Sequence, residues 1–99
     1  MKALCFALLT SLFFASSAVA GDPAAGKTLS ARCSACHGAT GISVSPLWPN
    51  LAGQKEQYLI KQIKAFRDGE RKDPTMAPMV AGLSDEDVAN LAAYYAAQK

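Results

Sequence analysis

Histidine is almost absent from this chain of 99 residues: there is one, His37. General acid–base chemistry that relies on a second imidazole is therefore excluded. Cysteine is nearly as scarce, with Cys5, Cys33 and Cys36 as the full set. Zinc takes four ligands, and beyond the Cys33/Cys36 pair the only further thiol is Cys5, in a segment read below as removed. Charge of one sign is lacking too, since 10 Lys and Arg face 8 Asp and Glu, a formal net charge of +2 with no basic cluster. The electrostatic footprint of a nucleic-acid binder is missing, and no nucleic-acid partner is expected. Strand-like alternation, internal repeats and low-complexity tracts are absent, which leaves helices as the periodic elements.

The apolar run at the start is short for a membrane span of ~20 residues, which argues against a permanent membrane anchor. Lys2, an almost unbroken apolar stretch from Ala3 to Phe14, and Ala18-Val19-Ala20 together read as a secretory signal peptide over residues 1–20 with a small-residue cleavage site. Cys5 stands too early to be a lipidated cysteine beside the cleavage point. The expectation is a soluble, exported protein of the periplasm whose domain is residues 21–99. Such a domain is near the size where a protein core alone gives marginal stability.

What is present is concentrated in five residues, Cys33-Ser34-Ala35-Cys36-His37. C-x-x-C followed at once by His is the attachment motif of a c-type haem. Two thiols at this spacing reach the two vinyl groups on one edge of the porphyrin, and the adjacent imidazole can lie under the iron as proximal ligand. Rival readings are a thioredoxin-like redox pair, a structural disulfide or half of a metal site. The redox pair belongs near a βαβ pattern, and no strand-like alternation precedes this motif. Export fits haem attachment, because paired thiols outside the cytoplasm would otherwise oxidise to a disulfide. One motif implies one haem c, held through Cys33 and Cys36. Losing Lys2 takes the formal charge from +2 to +1, and two ionised propionates take it to −1.

Three main helices are expected. Ala24 to Arg32 reads as a short helix capped by Asp22-Pro23. A loop from Gly38 to Gly53 follows, punctuated by Gly41, Pro46 and Pro49 and holding Leu47, Trp48 and Leu51 as buriable residues. Gln54 to Asp68 carries Tyr58, Leu59, Ile63 and Phe66 near helical spacing and stops at Gly69. A second loop from Gly69 to Gly82 contains Pro74, Pro78, Met76 and Met79, and its prolines exclude a continuous helix. Ser84 caps the last helix, with Asp85, Glu86 and Asp87 in its first turn. Val88, Leu91, Ala92 and Tyr95 form its apolar stripe. Tyr94 and Tyr95 are expected to pack on the first helix, where Gly26 permits close approach.

Trp48, Tyr58 and Phe66 are expected to pack on porphyrin or core. Arg67, Arg71 and Lys72 are read either as propionate partners or part of a docking surface, or equally as a solvated helix end. Lys55, Lys61 and Lys64 lie on a solvated helix face. No segment outside the haem-facing stripes is clearly apolar, which argues against a large obligate interface.

This order of elements resembles the class I cytochrome c family over residues 21–99. Pro49-Asn50-Leu51-Ala52-Gly53 is similar to the family's P-N-L-x-G segment, its proline twelve residues after the histidine. Leu51-Ala52-Gly53-Gln54, Tyr58-Leu59-Ile60-Lys61-Gln62, Gly82-Leu83-Ser84-Asp85 and Ala92-Ala93-Tyr94-Tyr95 are similar to single-domain bacterial cytochromes c and to each half of the tandem dihaem cytochromes c. The resemblance implies an all-α fold wrapped around one covalently bound haem, with the Pro49 carbonyl accepting from the Nδ1–H of His37. It places the sixth ligand seven residues before the leucine of the Leu-Ser step, which is Met76, with Met79 as the alternative. It also implies a non-enzymatic electron carrier with transient redox partners; a monomer is expected, with a dimer joined at its crevice edge as the alternative. The alternatives are a haem c subunit of a larger dehydrogenase or sulfur-oxidising enzyme, and a ligand-binding or peroxidase-like haem protein.

Overall fold

Every regular element in the computed structural model is helical, and the described residues are 21–99 together with 3, 5, 7 and 10. The cleavage site and nearly all of the expected signal peptide lie outside them. Helix α1 spans Pro23–Leu29 and runs into a 3₁₀ turn at Ser30–Arg32; α2 is Ser34–His37, α3 Glu56–Asp68, α4 Met76–Val80 and α5 Asp85–Ala96. No strand occurs among the described residues.

Local chemistry sets the helix ends. The Asp22 carboxylate accepts from the Ala24 N–H at 2.9 Å and Pro23 opens α1, where its missing N–H is no loss. Gly69, at φ +82°, stops α3 in the left-handed region. Ser84 and Asp87 form a reciprocal capping box at α5: the Ser84 hydroxyl accepts from the Asp87 N–H, and the Asp87 carboxylate from the Ser84 N–H, both at 3.0 Å.

Helix α5 is the spine of the molecule, packed on α1 on one side and on α3 on the other. A Cβ at Gly26 would collide with the backbone carbonyl of Asn90, so glycine is what lets α1 meet α5 at backbone distance. Asn90 is buried there, and its side-chain oxygen accepts from the Asp22 N–H at 2.8 Å. Val88, Leu91, Ala92 and Tyr95, the expected stripe, are buried and join Leu59, Val80, Leu83 and Tyr94 in one core.

Successive helical residues point about 100° apart, so the two tyrosines meet different parts of the molecule. Tyr94 lies against Gly26 of α1 and donates from its hydroxyl to the Ala39 carbonyl at 3.1 Å. Tyr95 turns instead toward the cleft described below. The loop from Gly69 to Gly82 differs from expectation, since it contains α4. Pro78 is the third residue of that helix, where its nitrogen would have no intrahelical partner in any case.

Candidate haem-binding site

The attachment motif is held on the single turn of α2, which Gly38 ends at φ +86°. That turn places Cys33, Cys36 and His37 on the wall of a cleft of about 540 Å³, within the usual size of a cofactor site. The loop supplies Leu47, Trp48, Pro49 and Leu51 to it; α3 supplies Tyr58, Leu59, Ile63 and Phe66; Met76, Met79 and Val80 come from α4, and Leu91 and Tyr95 from α5. All the residues marked by the sequence for attachment, ligation or porphyrin packing thus stand around one space.

His37 is only 6 % exposed, and its Nδ1 lies 2.8 Å from the Pro49 carbonyl oxygen. A carbonyl can only accept, so Nδ1 carries a proton and donates it, and the bond holds the orientation of the ring. Cys33 and Cys36 are free, half-buried thiols. Burial pushes the Cys33 thiol above its ordinary range, with the Tyr95 hydroxyl and Arg32 pulling weakly the other way. A thioredoxin-like attacking cysteine needs the opposite shift, so this environment disfavours the redox-pair reading.

Met76 is half-buried and packs against the core, whereas Met79 is 39 % exposed. The Met76 backbone is anchored by Asp73, whose carboxylate accepts from the N–H groups of Thr75 at 2.8 Å and Met76 at 3.0 Å. Those two bonds hold the Asp73 carboxyl below the usual carboxylate range. Asp73 was not singled out in the sequence, although an Asp ahead of a proline and a helix start is a turn signal.

The basic residues separate by role. Arg67 is not in the cleft: its guanidinium bonds Asp68 at 2.8 Å, Asp85 at 2.8 Å and the Leu83 carbonyl at 3.1 Å, tying α3 to the start of α5. With its Nε, its Nη1 and one Nη2 direction engaged by protein away from the cleft, Arg67 fits the helix-end reading better than propionate pairing. Arg71 does line the cleft, lies 4.5 Å over the Phe66 ring and donates to the Gln62 side chain at 2.9 Å. The apolar surface also differs from expectation. Val44 is 99 % exposed and Leu47 79 %, with Ile42 beside them, so the Gly38 to Gly53 loop presents apolar side chains outward.

Two thiols and an oriented imidazole around a single-turn helix, on the wall of a cleft that two methionines also line, define a small all-α haem protein. The chain belongs to the cytochrome c family, whose Cytochrome c pattern it matches over residues 23–97. It is similar to cytochrome c-554(548) of Halomonas halodenitrificans, 52 % identical over 83 residues, covering 81 % of this chain and all of that one. In the reduced recombinant cytochrome c4 of Pseudomonas stutzeri, a match with TM-score 0.77 and 43 % identity covers 81 % of this chain and 47 % of that one. The thiosulfate dehydrogenase electron acceptor of Thiomonas intermedia is 40 % identical over 99 residues, which are 99 % of this chain and 44 % of that one. The chain thus spans about half the length of these larger relatives, and is similar to one half of the dihaem cytochrome c4.

The class I all-α fold follows, and with it one haem c attached through Cys33 and Cys36. The residues present fit the group. Two thiols stand one helical turn apart beside a fixed imidazole, and the one buried side-chain polar atom without a partner among the described residues, the Tyr95 hydroxyl, belongs to a residue of the same cleft. No helix among the described residues is long and apolar enough to cross a membrane.

Proposed function

We propose that this protein is a periplasmic electron carrier with a single haem whose iron is held by His37 and Met76. When bound, the haem supplies an iron that cycles between Fe(III) and Fe(II). The observation that carries the reading is the 2.8 Å bond from His37 Nδ1–H to the Pro49 carbonyl, in the same cleft that Met76 lines. That bond fixes the ring and aims Nε2 into the cleft, as a neighbouring acceptor does for a metal-ligating histidine. Met76 is favoured over Met79 by its packing against the core and its anchored backbone. A haem iron held by these two side chains would rearrange little on taking up an electron and would leave no vacant position for peroxidase-like chemistry.

A soluble exported carrier is supported by the apolar leader expected over residues 1–20. Ile42, Val44 and Leu47 are exposed apolar side chains of the loop that lines the cleft through Leu47 and Trp48, and offer contacts to a transient redox partner. The same surface, and the relative named for accepting electrons from thiosulfate dehydrogenase, favour a second reading as the haem subunit of such a dehydrogenase. Both readings use identical haem chemistry and differ in the permanence of the complex.

The test is the optical spectrum of protein exported with haem-maturation machinery, oxidised and reduced, with and without carbon monoxide. The expected result is covalently retained low-spin haem with a near-infrared sulfur-to-iron band and no carbon monoxide response. A high-spin haem that binds carbon monoxide would sink the carrier reading. Co-purification of a stoichiometric dehydrogenase chain would favour the subunit.

A further inference from the structure

Tyr95 is 1 % exposed, and its hydroxyl is the buried side-chain group left without a hydrogen-bond partner among the described residues. Leaving a phenol unpaired in a core costs about 1–3 kcal/mol, so such a group calls for an acceptor. The ring has no freedom to carry it to water. The Tyr95 carbonyl accepts from the Gly53 N–H at 2.9 Å, its ring abuts Gly41 and lies 5.1 Å from the Tyr94 ring, and the residue lines the cleft. Two side chains neighbour the hydroxyl, Cys33 and Ser30. Ser30 is buried and spends its own proton on the Lys27 carbonyl at 2.7 Å. Cys33 packs against the core cluster that contains Tyr95.

Haem attachment changes one of these neighbours and not the other. Adding the Cys33 thiol across a vinyl double bond forms the C–S bond and moves the S–H proton to the vinyl carbon, with no oxidant or reductant consumed. The sulfur then has lone pairs and no hydrogen, so it can only accept. We infer that Tyr95 is a positioning residue for the haem linkage, its hydroxyl donating to the Cys33 sulfur once that sulfur is a thioether. The inference rests on Cys33 being an attachment cysteine. A donor at this sulfur withdraws electron density from the macrocycle edge and favours the reduced iron, so it raises the reduction potential.

The experiment compares haem-loaded wild type with Tyr95→Phe, Ser30→Ala and Tyr94→Phe, reading reduction potential by redox titration and the Cys33 thioether proton shifts by NMR. Tyr95→Phe keeps the ring and removes only the donor. It is expected to lower the potential and shift the Cys33 resonances, while Cys36 resonances and the sulfur-to-iron band stay in place. Ser30→Ala and Tyr94→Phe are expected to leave the potential where it is. Unchanged potential and unchanged Cys33 shifts in Tyr95→Phe would overturn the inference. So would equal shifts in Tyr95→Phe and Ser30→Ala, which would assign the hydroxyl to Ser30. Failure of Tyr95→Phe to fold with haem would be met by Tyr95→Trp, whose ring N–H restores a donor; recovery of folding without recovery of the Cys33 shifts counts against the inference. If wild type carried no covalent haem, the attachment reading itself would fall, a result distinct from all of these.

Discussion

The two methionines that line the cleft differ in what holds them, and that difference is why Met76 is the proposed ligand. A thioether needs a fixed approach to iron, and Met76 is packed and anchored where Met79 is 39 % exposed. Met76→Leu is expected to abolish the near-infrared sulfur-to-iron band and Met79→Leu to leave it; the reverse pattern would move the ligand to Met79. Tyr94 offers a second residue-scale test, because its hydroxyl ties α5 to the Ala39 carbonyl 55 residues away. Tyr94→Phe leaves that carbonyl short of a partner and should cost about 1 kcal/mol. In a domain of this size that lowers Tm by about 4–8 °C, readable by thermal melting of the haem-loaded protein. At this scale the sequence was most legible where partners are close along the chain. His37 ends α2 and Pro49 lies twelve residues on in the loop that follows, and the family pattern marks both. The partner of Arg67 was not legible, because Asp85 lies in the next main helix and only the packing of α3 on α5 brings them to 2.8 Å. That Tyr95 also lines the cleft was not legible, because spacing alone does not supply the rotation of α5 about its axis.

Each helix end carries its own energetic logic, and α4 is the end on which the ligand loop depends. Asp73 holds Thr75 and Met76 through two backbone N–H groups, and those donors depress its pKa. A carboxylate with a depressed folded pKa contributes stability that is fully present above its unfolded value, about 4, and is lost as pH falls through the folded value. Asp73→Ala is therefore expected to lose the sulfur-to-iron band at lower guanidinium concentration than wild type at pH 7. The gap between the two should close in acid, once the wild-type carboxyl is also protonated; a gap that persisted unchanged would show that Asp73 acts through something other than its charge. At the α1–α5 crossing the limiting term is space rather than charge. Gly26→Ala would push a methyl into the Asn90 carbonyl, and separating the helices to relieve it should cost about 1–3 kcal/mol in chemical denaturation. The α3 and α5 ends were readable from Gly69 and Ser84 because stop and cap residues act locally. Helix α4 was not, because proline was weighed as a breaker without regard to position. At the third residue of a helix it removes no bond.

For the molecule as a whole, the arrangement of apolar surface makes the haem part of the core. Helix α5 is covered on both sides by protein, but the face of α3 bearing Tyr58, Leu59, Ile63 and Phe66 lines the cleft, as do Leu51, Met76 and Val80. A domain matched over residues 23–97 is small enough that its own burial leaves stability marginal. Exposing that cleft wall to water forfeits about 25 cal/mol for each Å² of apolar surface, on a balance that is narrow to begin with. The pairing of α1 with α5, which depends on backbone approach at Gly26 and not on the cleft, is the part built to survive. Replacing both attachment cysteines, Cys33→Ser with Cys36→Ser, should therefore yield a chain with reduced far-UV helicity and a broad, non-cooperative melt. Hydrogen exchange should retain its slowest amides in α5 and lose protection in α3 and α4. A double variant that melted cooperatively with undiminished helicity would mean that the protein closes its own core. The cleft would then be a site the haem enters rather than one the haem completes.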